Sequence, residues 1–382
     1  MGAILRALPW RYALPNLLLI GAVAGLIAGG WWVWLAVLVS AVLGGPADEA
    51  VGDARHDLSP GTHTFFVANI CLSLPLVPIL TLIYLHYFTS ADPVGMVALF
   101  RRFGIEFAQA WPAMGHHPFV GAIVLVTQAY AIGAVIAGHE LIHWTDNRLA
   151  VVAGRVLMAF TLDASYSVSH VYGHHRNVGT WRDPSTARRG ERVVPFLVRT
   201  NIGQVAEAFR FEARRLSRKG LSPWSIRNRA LSAQLYSLAL VFAAWAIAGW
   251  AGVAGFLIVA VLGRFVHQVL TYCQHYGVVR VEGQPIAPRH SWDSYRQLSS
   301  AMMYNMPLHA AHHASARRGW ELRPIAGSPM MPHGYFTMFA LALIPPLFRR
   351  KVYPILAACD RDLANDEERR LIRERGWEIA AG

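Results

Sequence analysis

Long apolar stretches separated by short polar segments run along most of the chain and predict transmembrane helices. A helix that crosses a bilayer needs about 20 mostly apolar residues, and six stretches reach or approach that length. They lie near Tyr12–Gly29, Trp31–Gly44, Thr64–Phe88, Pro118–Gly138, Gln234–Gly249 and Trp250–Leu270. Glycines between neighbouring stretches, as at Gly29 and Gly249, predict tight turns. The pattern predicts an all-α, polytopic membrane protein with about six transmembrane helices.

Other segments are not predicted to cross the bilayer. Leu149–Phe160 is too short to span, so it is predicted to be buried or interfacial, and Phe336–Leu347 is predicted to be a membrane-surface helix. The charged stretch Asp360–Arg375 is predicted to be a solvated helix. The basic start at Arg6 and Arg11 resembles a signal peptide, but another apolar run follows closely, which favours a first membrane hairpin.

Composition supports the membrane assignment. Of the 382 residues, 54% are apolar and only 15% are charged, whereas an average soluble protein carries roughly 25% charged residues. No repeat or low-complexity tract divides the sequence. Residues 1–382 are therefore predicted to form a single membrane domain, of which residues 360–382 are a charged cytoplasmic tail.

The distribution of positive charge predicts the orientation in the membrane. The formal net charge is +12, and residues 144–232 contain 15 Arg or Lys against 6 Asp or Glu. Another 14 basic residues follow Tyr276. Basic segments beside membrane spans usually face the cytoplasm, so both regions are predicted to be cytoplasmic. No nucleic-acid partner is expected, because these arginines flank spans and lack interleaved exposed aromatic residues.

The cysteines exclude several kinds of redox centre. Cys71, Cys273 and Cys359 are the only ones, and no Cys-x-x-Cys motif occurs. The chain therefore carries no rubredoxin, iron–sulfur or zinc-ribbon module. Three well-separated cysteines also make a disulfide framework improbable.

Nine histidines form three clusters and one outlier, all at or near the ends of apolar stretches. They are His139 and His143; His170, His174 and His175; His309, His312 and His313; and the outlier His275. Ionisable residues beside a bilayer are costly unless they have a function, and neutral imidazole is the commonest metal ligand in proteins. The clusters therefore predict a metal site facing one side of the membrane.

Helical spacing predicts how the imidazoles are shared. His139 and His143 are four residues apart and share one helical face, as do His170 and His174, whereas His175 points about 100° away from His174. One zinc ion takes no more than four protein ligands. Nine imidazoles suit two metal ions with open positions, and nitrogen-rich ligation of that kind suits iron that handles dioxygen.

Three other interpretations of the histidines are weaker. His139-Glu140-x-x-His143 matches a zinc-protease motif with Glu140 as general base, but that short pattern leaves the other clusters unexplained. A carboxylate-bridged di-iron bundle needs two Glu-x-x-His motifs, and Glu140–His143 is the only one in the clusters. A purely structural role suits the isolated histidines, which are His56, His63, His86, His116, His117, His267 and His333.

The clusters resemble the three histidine boxes of the integral-membrane desaturase and hydroxylase superfamily. The sequence from His174 to Thr180, followed by Asp183-Pro184, resembles the second box of the alkane 1-monooxygenases, and so do His290-Ser291-Trp292 and the Tyr272–Gly277 element. The resemblance extends from about Asp48 to Phe348. As a set, these motifs are specific.

The resemblance implies a cytoplasmic non-haem di-iron centre that hydroxylates a terminal methyl group of alkanes with dioxygen. It implies the ligands His139, His143, His170, His174, His175, His275, His309, His312 and His313. Glu140 and Asp183 are expected to be the carboxylates that orient ligand imidazoles. Electrons are expected from rubredoxin and its reductase, or from a ferredoxin-type reductase. The protein is expected in the bacterial inner membrane, with its active site facing the cytoplasm.

Two departures leave the substrate open. Gln274 occupies a position where alkane monooxygenases usually have Glu, and this residue and Glu321-Leu322-Arg323-Pro324 look more like the membrane subunit of xylene monooxygenase. Methyl groups of alkyl-aromatic compounds are therefore an alternative substrate. A fatty acyl desaturase is disfavoured by the His275 element and by Asp183-Pro184. A transporter or structural membrane protein would need no iron.

Overall fold

A computed structural model describes residues 9–53, 62–108, 113, 115–315 and 318–379. Within these ranges the protein consists of helices and connecting turns, without β-strands. Two isolated bridges, Asp53 to Arg296 and Asp293 to Met330, are the only β-type pairs there. The predicted all-α class is confirmed. Arg6 and His56 lie outside the described residues.

The α-helices fall into two halves of the chain. The first half contains α1 (Leu14–Ala28), α2 (Gly30–Gly44), α3 (Pro46–Val51), α4 (Thr62–His86), α5 (Met96–Arg101), α6 (His116–Ala129), α7 (Ala137–Ile142) and α8 (Arg148–Ala159). The second half contains α9 (Tyr166–Val168), α10 (His175–Asn177), α11 (Val193–Ser217), α12 (Arg229–His275), α13 (Gln297–Met302), α14 (His309–Ala314), α15 (Tyr335–Ala342), α16 (Pro345–Asp362) and α17 (Asp366–Glu374). The remaining helical segments are 3-10 helices at Pro9–Ala13, Pro288–His290 and Gly319–Glu321, and π-helices at Tyr130–Ile136 and Ser169–His174.

Five continuous helical stretches are long and apolar enough to cross a membrane. They are Pro9–Ala28, Gly30–Val51, Thr62–His86, His116–Ile142 and Arg229–His275. The last stretch, of 47 residues, is interrupted at Ala248 and Gly249, whose backbone angles are not helical. Gly249 has φ of 59°, a left-handed conformation that glycine adopts without steric cost. The two arms of α12 correspond to the predicted fifth and sixth spans, and a multi-pass membrane protein is confirmed.

The outer surface of the bundle suits a lipid environment. Large apolar side chains such as Leu17, Trp31, Phe242 and Trp250 are exposed on the membrane helices, Trp250 by 78%. Arg264, the charged residue of the predicted sixth span, has two partners inside the protein. It donates to the Leu162 carbonyl at 2.9 Å and lies 3.1 Å from Asp163, as expected for a charge at membrane depth.

A cap, formed by residues 143–228, 276–315 and 318–379, covers the bundle at the end where α7 and α12 finish. Helix α8 packs against α7, with Met158 buried against Ile142, while Leu149 remains 81% exposed. Helix α8 is therefore partly buried, and it was predicted to be buried or interfacial.

Two predictions about the C-terminal region need correction. The stretch Phe336–Leu347 is not one helix, because α15 ends at Ala342 and a proline pair starts α16 at Pro345. Proline lacks the backbone donor that continuation of α15 would require, but it fits the first turn of a new helix. The prediction that the charged stretch Asp360–Arg375 is a solvated helix also needs correction. In α17, Glu368 is fully buried and its carboxylate lies 2.8 Å from both Arg289 and His290.

Candidate metal centre

Two π-helical segments lead into the histidine clusters. Tyr130–Ile136 immediately precedes α7, which carries His139, and Ser169–His174 contains His170 and His174. A π-helix widens the turn by one residue and is frequently found at functional sites. The wider turns therefore set the direction in which the first two clusters project their imidazoles.

A five-histidine group forms between the first, second and third clusters. Ligand atoms of His139, His143, His170 and His312 all lie within 4.8 Å of one another. The Nε2 atom of His170 is 2.9 Å from that of His139 and 3.0 Å from that of His143. His175 joins them, because its Nε2 atom lies 3.1 Å from that of His170 and 3.0 Å from that of His312.

A four-histidine group lies beside it. Ligand atoms of His174, His275, His309 and His313 also lie within 4.8 Å of one another, and all four residues are buried. The Nε2 atom of His275 is 3.1 Å from that of His174 and 2.9 Å from that of His309. The two groups adjoin, since the His175 and His313 rings stack at 4.3 Å between centroids.

The structure thus assembles all nine predicted histidines. The adjacent residues His174 and His175 diverge into different groups, as their predicted angular separation requires. The third cluster is likewise divided, with His312 in the five-histidine group and His309 and His313, four residues apart, in the other. The outlier His275 reaches the four-histidine group because it is the last residue of α12.

The imidazoles outside the membrane spans are held neutral. Burial lowers the pKa of His143, His170 and His175 well below its ordinary value, and the neighbouring imidazoles lower it further. The pKa of His312 falls to about 3 for the same reasons. The Nε2 atom of His170 faces three other Nε2 atoms at 2.9, 3.0 and 3.1 Å, and a neutral ring nitrogen can share a hydrogen bond with only one of them, whereas a cation could bind all four. The donor set therefore fits metal ions.

Asp183 supports the four-histidine group directly. Its Oδ2 atom accepts from His174 Nδ1 at 2.8 Å and from the Thr186 hydroxyl at 2.6 Å, and Oδ1 accepts from the Ser185 amide at 3.0 Å. Burial raises the pKa of Asp183, but the neighbouring His174 and these hydrogen bonds outweigh burial, so that the pKa lies below its usual value. A carboxylate behind a ligand imidazole fixes its orientation and increases its basicity.

Glu140 does not have the contact expected of it. Its Oε1 atom accepts from the Trp144 indole at 3.0 Å and from the Gly319 amide at 2.9 Å. No hydrogen bond joins it to an imidazole among the described residues. The reason is geometric: on the helix, Glu140 points away from the face that His139 and His143 share. Through these bonds, Glu140 links the first histidine cluster to the segment that follows the third histidine cluster.

Sequence reasoning missed two neighbours of the histidines. Asp293, fully buried, accepts from the Ala310 amide at 2.7 Å and so fixes the start of α14. Burial raises its pKa to about 6. The ring of Tyr166 stacks on His170 with 4.5 Å between centroids. Neither residue belongs to a recognisable motif, although Asp293 directly follows the His290-Ser291-Trp292 element.

Among the isolated histidines, His267 is buried and lies 3.5 Å from Asp163. His63 packs its ring edge-on against Trp320. Neither is part of the two histidine groups.

The fold and this site define an all-α, multi-pass membrane protein with two adjoining histidine groups that could hold metal ions. Comparison with known proteins identifies the family. The model of the fatty acid desaturase family matches residues 115–342, and the chain belongs to that family. The resemblance that the histidine clusters carry is confirmed at this level.

Three relatives illustrate the similarity. Alkane 1-monooxygenase 1 of Pseudomonas aeruginosa is 37% identical over 257 residues, which are 65% of this chain and 66% of the relative. Alkane 1-monooxygenase 2 of Alcanivorax borkumensis is 34% identical over 63% of this chain and 64% of its own length. These matches span slightly less than two thirds of the two relatives. The xylene/toluene monooxygenase hydroxylase component XylM of Pseudomonas putida is 28% identical over 97% of this chain and 96% of its own.

Proposed function

We propose that the protein is a membrane di-iron monooxygenase that hydroxylates the terminal methyl group of alkanes. The observation that carries this proposal is the convergence of nine imidazoles into two groups. Eight of them form two sets of four with ligand atoms within 4.8 Å, and His175 lies 3.1 Å from His170. All-nitrogen donor sets with open positions suit iron that reacts with dioxygen. The similarity to two alkane 1-monooxygenases supports the substrate class.

The metal ligands in this proposal are His139, His143, His170, His174, His175, His275, His309, His312 and His313. Asp183 is the positioning carboxylate behind His174. Glu140 is a positioning residue for the segment at Gly319 rather than for an imidazole. Residues 1–382 act as one membrane hydroxylase domain.

In the reaction, one oxygen atom of dioxygen enters the methyl C–H bond, and the other leaves as water with two electrons and two protons. Bound iron would supply the reduction of dioxygen and the oxidation of the C–H bond. The chain supplies neutral imidazoles and orients His174 through Asp183. Burial of the four-histidine group excludes water, which limits competing reactions.

A cavity within the bundle offers room for a hydrophobic substrate. Its volume is about 430 Å³, and its wall includes Ile132, Ile136, Leu270 and Phe336. Ile136 lies three residues before His139 along the same helical stretch. Pockets that enclose small molecules are mainly apolar and of comparable volume. The cavity supports entry of the substrate from the hydrocarbon region of the bilayer.

Hydroxylation of methyl groups on alkyl-aromatic compounds is the second candidate. The observation in its favour is that similarity to XylM extends over nearly the whole of both chains. Gln274 and the Glu321–Pro324 segment also look like that enzyme. A fatty acyl desaturase remains a third, weaker alternative.

Electrons come from a separate redox protein in this proposal, because the sequence has no cysteine motif for a metal cluster. We propose rubredoxin with its reductase for the alkane reaction, or a ferredoxin-type reductase for the aromatic one. The basic residues of the cap favour a cytoplasmic active site and an inner-membrane location.

Product analysis under isotope-labelled dioxygen tests the proposal. Cells that express the protein and both carrier systems would receive octane, toluene and a fatty acid, with cells expressing His174→Ala as the matched control. Labelled octanol supports the proposal, and labelled benzyl alcohol supports the aromatic alternative. Unlabelled alkene would show desaturation. Absence of both product and bound iron would refute the enzyme assignment.

A further inference from the structure

We infer that α11 and the loop that follows it, together residues 193–228, bind anionic phospholipid headgroups at the membrane surface. We call this region the interfacial platform. The inference rests on multi-pass membrane insertion and is independent of the proposed reaction.

Helix α11 lies across the ends of both arms of α12. Its first half contacts the end of the second arm, where the rings of Phe196 and Tyr272 are 5.3 Å apart. Its last turns contact the start of the first arm, where Glu212 lies 2.7 Å from Arg229. The two arms form a hairpin, so their outer ends lie on the same side of the membrane. A helix that bridges these ends runs along the headgroup region.

The loop after α11 is held in a fixed conformation. The buried carboxylate of Glu212 binds both Arg215 and Arg229 at 2.7 Å. Arg215 also donates to the carbonyl of Arg227 at 2.7 Å. These bonds close residues 215–229 into a rigid hairpin. Apolar side chains that are exposed on this hairpin therefore remain exposed at the protein surface.

Those exposed side chains lie at the level of the lipid interface. Trp224 is 78% exposed and Ile226 is 67% exposed. Arg229, where the span begins, is five positions after Trp224, and five positions cannot extend beyond about 18 Å. Tryptophan and tyrosine are enriched at that depth. On α11, Val194, Val198 and Ile202 are exposed as well, beside the last turns of the span.

The charges on the platform suit anionic lipid. Arg214, Arg218, Lys219 and Arg227 have no carboxylate partner within the described part of the chain, whereas Arg215 and Arg229 are both paired. An amphipathic helix with cations and exposed apolar residues is typical of surfaces that bind anionic membranes. Each cation close to such a membrane strengthens binding by about fivefold.

The test compares lipid preference in variants of the full-length protein. In a triple variant, Arg218, Lys219 and Arg227 are changed to Gln, and in a charge-matched control Arg361, Arg370 and Arg373 are changed to Gln. Native mass spectrometry would count phosphatidylglycerol and phosphatidylcholine retained from mixed nanodiscs. We expect the wild type and the control to prefer phosphatidylglycerol, and the triple variant to lose this preference by at least about fivefold.

Two further measurements keep the inference falsifiable. Equal unfolding temperatures of all three proteins in phosphatidylcholine would show that the triple variant is folded. The wild-type preference should weaken as salt rises, because screening reduces attraction between exposed charges. Unchanged preference in the triple variant overturns the inference. The inference is also overturned if the triple variant keeps its lipid preference and loses only the binding of an acidic plant-type ferredoxin. The platform would then bind a protein partner.

Discussion

The two histidine groups use the same ligand type in different surroundings. In the four-histidine group every residue is buried and Asp183 holds one imidazole. Asp293 fixes the start of α14, which carries histidines of both groups. In the five-histidine group, His143 and His175 are only partly buried, and no carboxylate binds an imidazole within the described residues. One group is therefore rigidly supported and enclosed, and the other is more open and has one more imidazole.

This difference indicates that the two groups of the proposed centre differ in how firmly they hold their ligands. A ligand held from behind by a carboxylate keeps its tautomer and direction, so the four-histidine group is preorganised. The five-histidine group can lose one nitrogen and still present four. We expect it to tolerate exchange of a ligand better than its neighbour.

Removal of one imidazole from each group gives the largest effect. His174→Ala leaves three nitrogens and a buried Asp183 without its imidazole partner, so we expect about half of the metal to be lost and turnover to fall by more than about 100-fold. His175→Ala leaves four nitrogens in its group and should retain more metal. Elemental analysis per chain and product formation would measure both. Equal losses in the two variants would contradict the comparison.

The variant Asp183→Asn removes only the carboxylate that supports the four-histidine group and leaves all nine imidazoles in place. The amide cannot stabilise His174 as the carboxylate does, and loss of such a partner lowers metal affinity or activity by about 10- to 100-fold. Release of metal to a chelator should become biphasic, with only one phase accelerated. Asp362→Asn, which weakens the exposed pair with Arg361, is the matched control and should leave both phases unchanged.

Acidification should destabilise the metal-free protein through both groups, since burial also lowers the pKa values of His309 and His313 well below the ordinary value. The pKa values of His143, His170, His175 and His312 are lowered in the fold. Their contribution to stability is complete above the ordinary value near 6.5 and is lost as pH falls below it.

Below pH 6.5, each of these histidines lowers the free energy of unfolding by about 1.4 kcal/mol for every pH unit of acidification. Thermal unfolding of the chelator-treated protein across this range would measure the slope, and His143→Ala should reduce it. A stability independent of pH between about 6.5 and 5 would rule out buried neutral imidazoles.

Glu140→Gln should have the smallest effect. Glutamine keeps an oxygen that can accept from the Trp144 indole and the Gly319 amide. We expect a loss of stability near 1 kcal/mol and full retention of metal. Metal analysis next to Asp183→Asn would measure the contrast. A loss of metal as large as that of Asp183→Asn would restore the role first expected of Glu140.

The sequence by itself determined the membrane helices, the nine histidines and the separation of His174 from His175. These properties follow from local pattern, since apolar length and helical angle depend on neighbouring residues. Even the break in α12 was marked by Gly249.

Only the tertiary structure decided which carboxylate supports the site and how the imidazoles are shared. Glu140 is adjacent to His139 in sequence and Asp183 is nine residues from His174, but packing turns Asp183 towards His174 and Glu140 towards Gly319. Asp293 reaches Ala310 across 17 residues, and Glu368 reaches His290 across 78. Such contacts depend on how distant segments pack together, which no local pattern encodes.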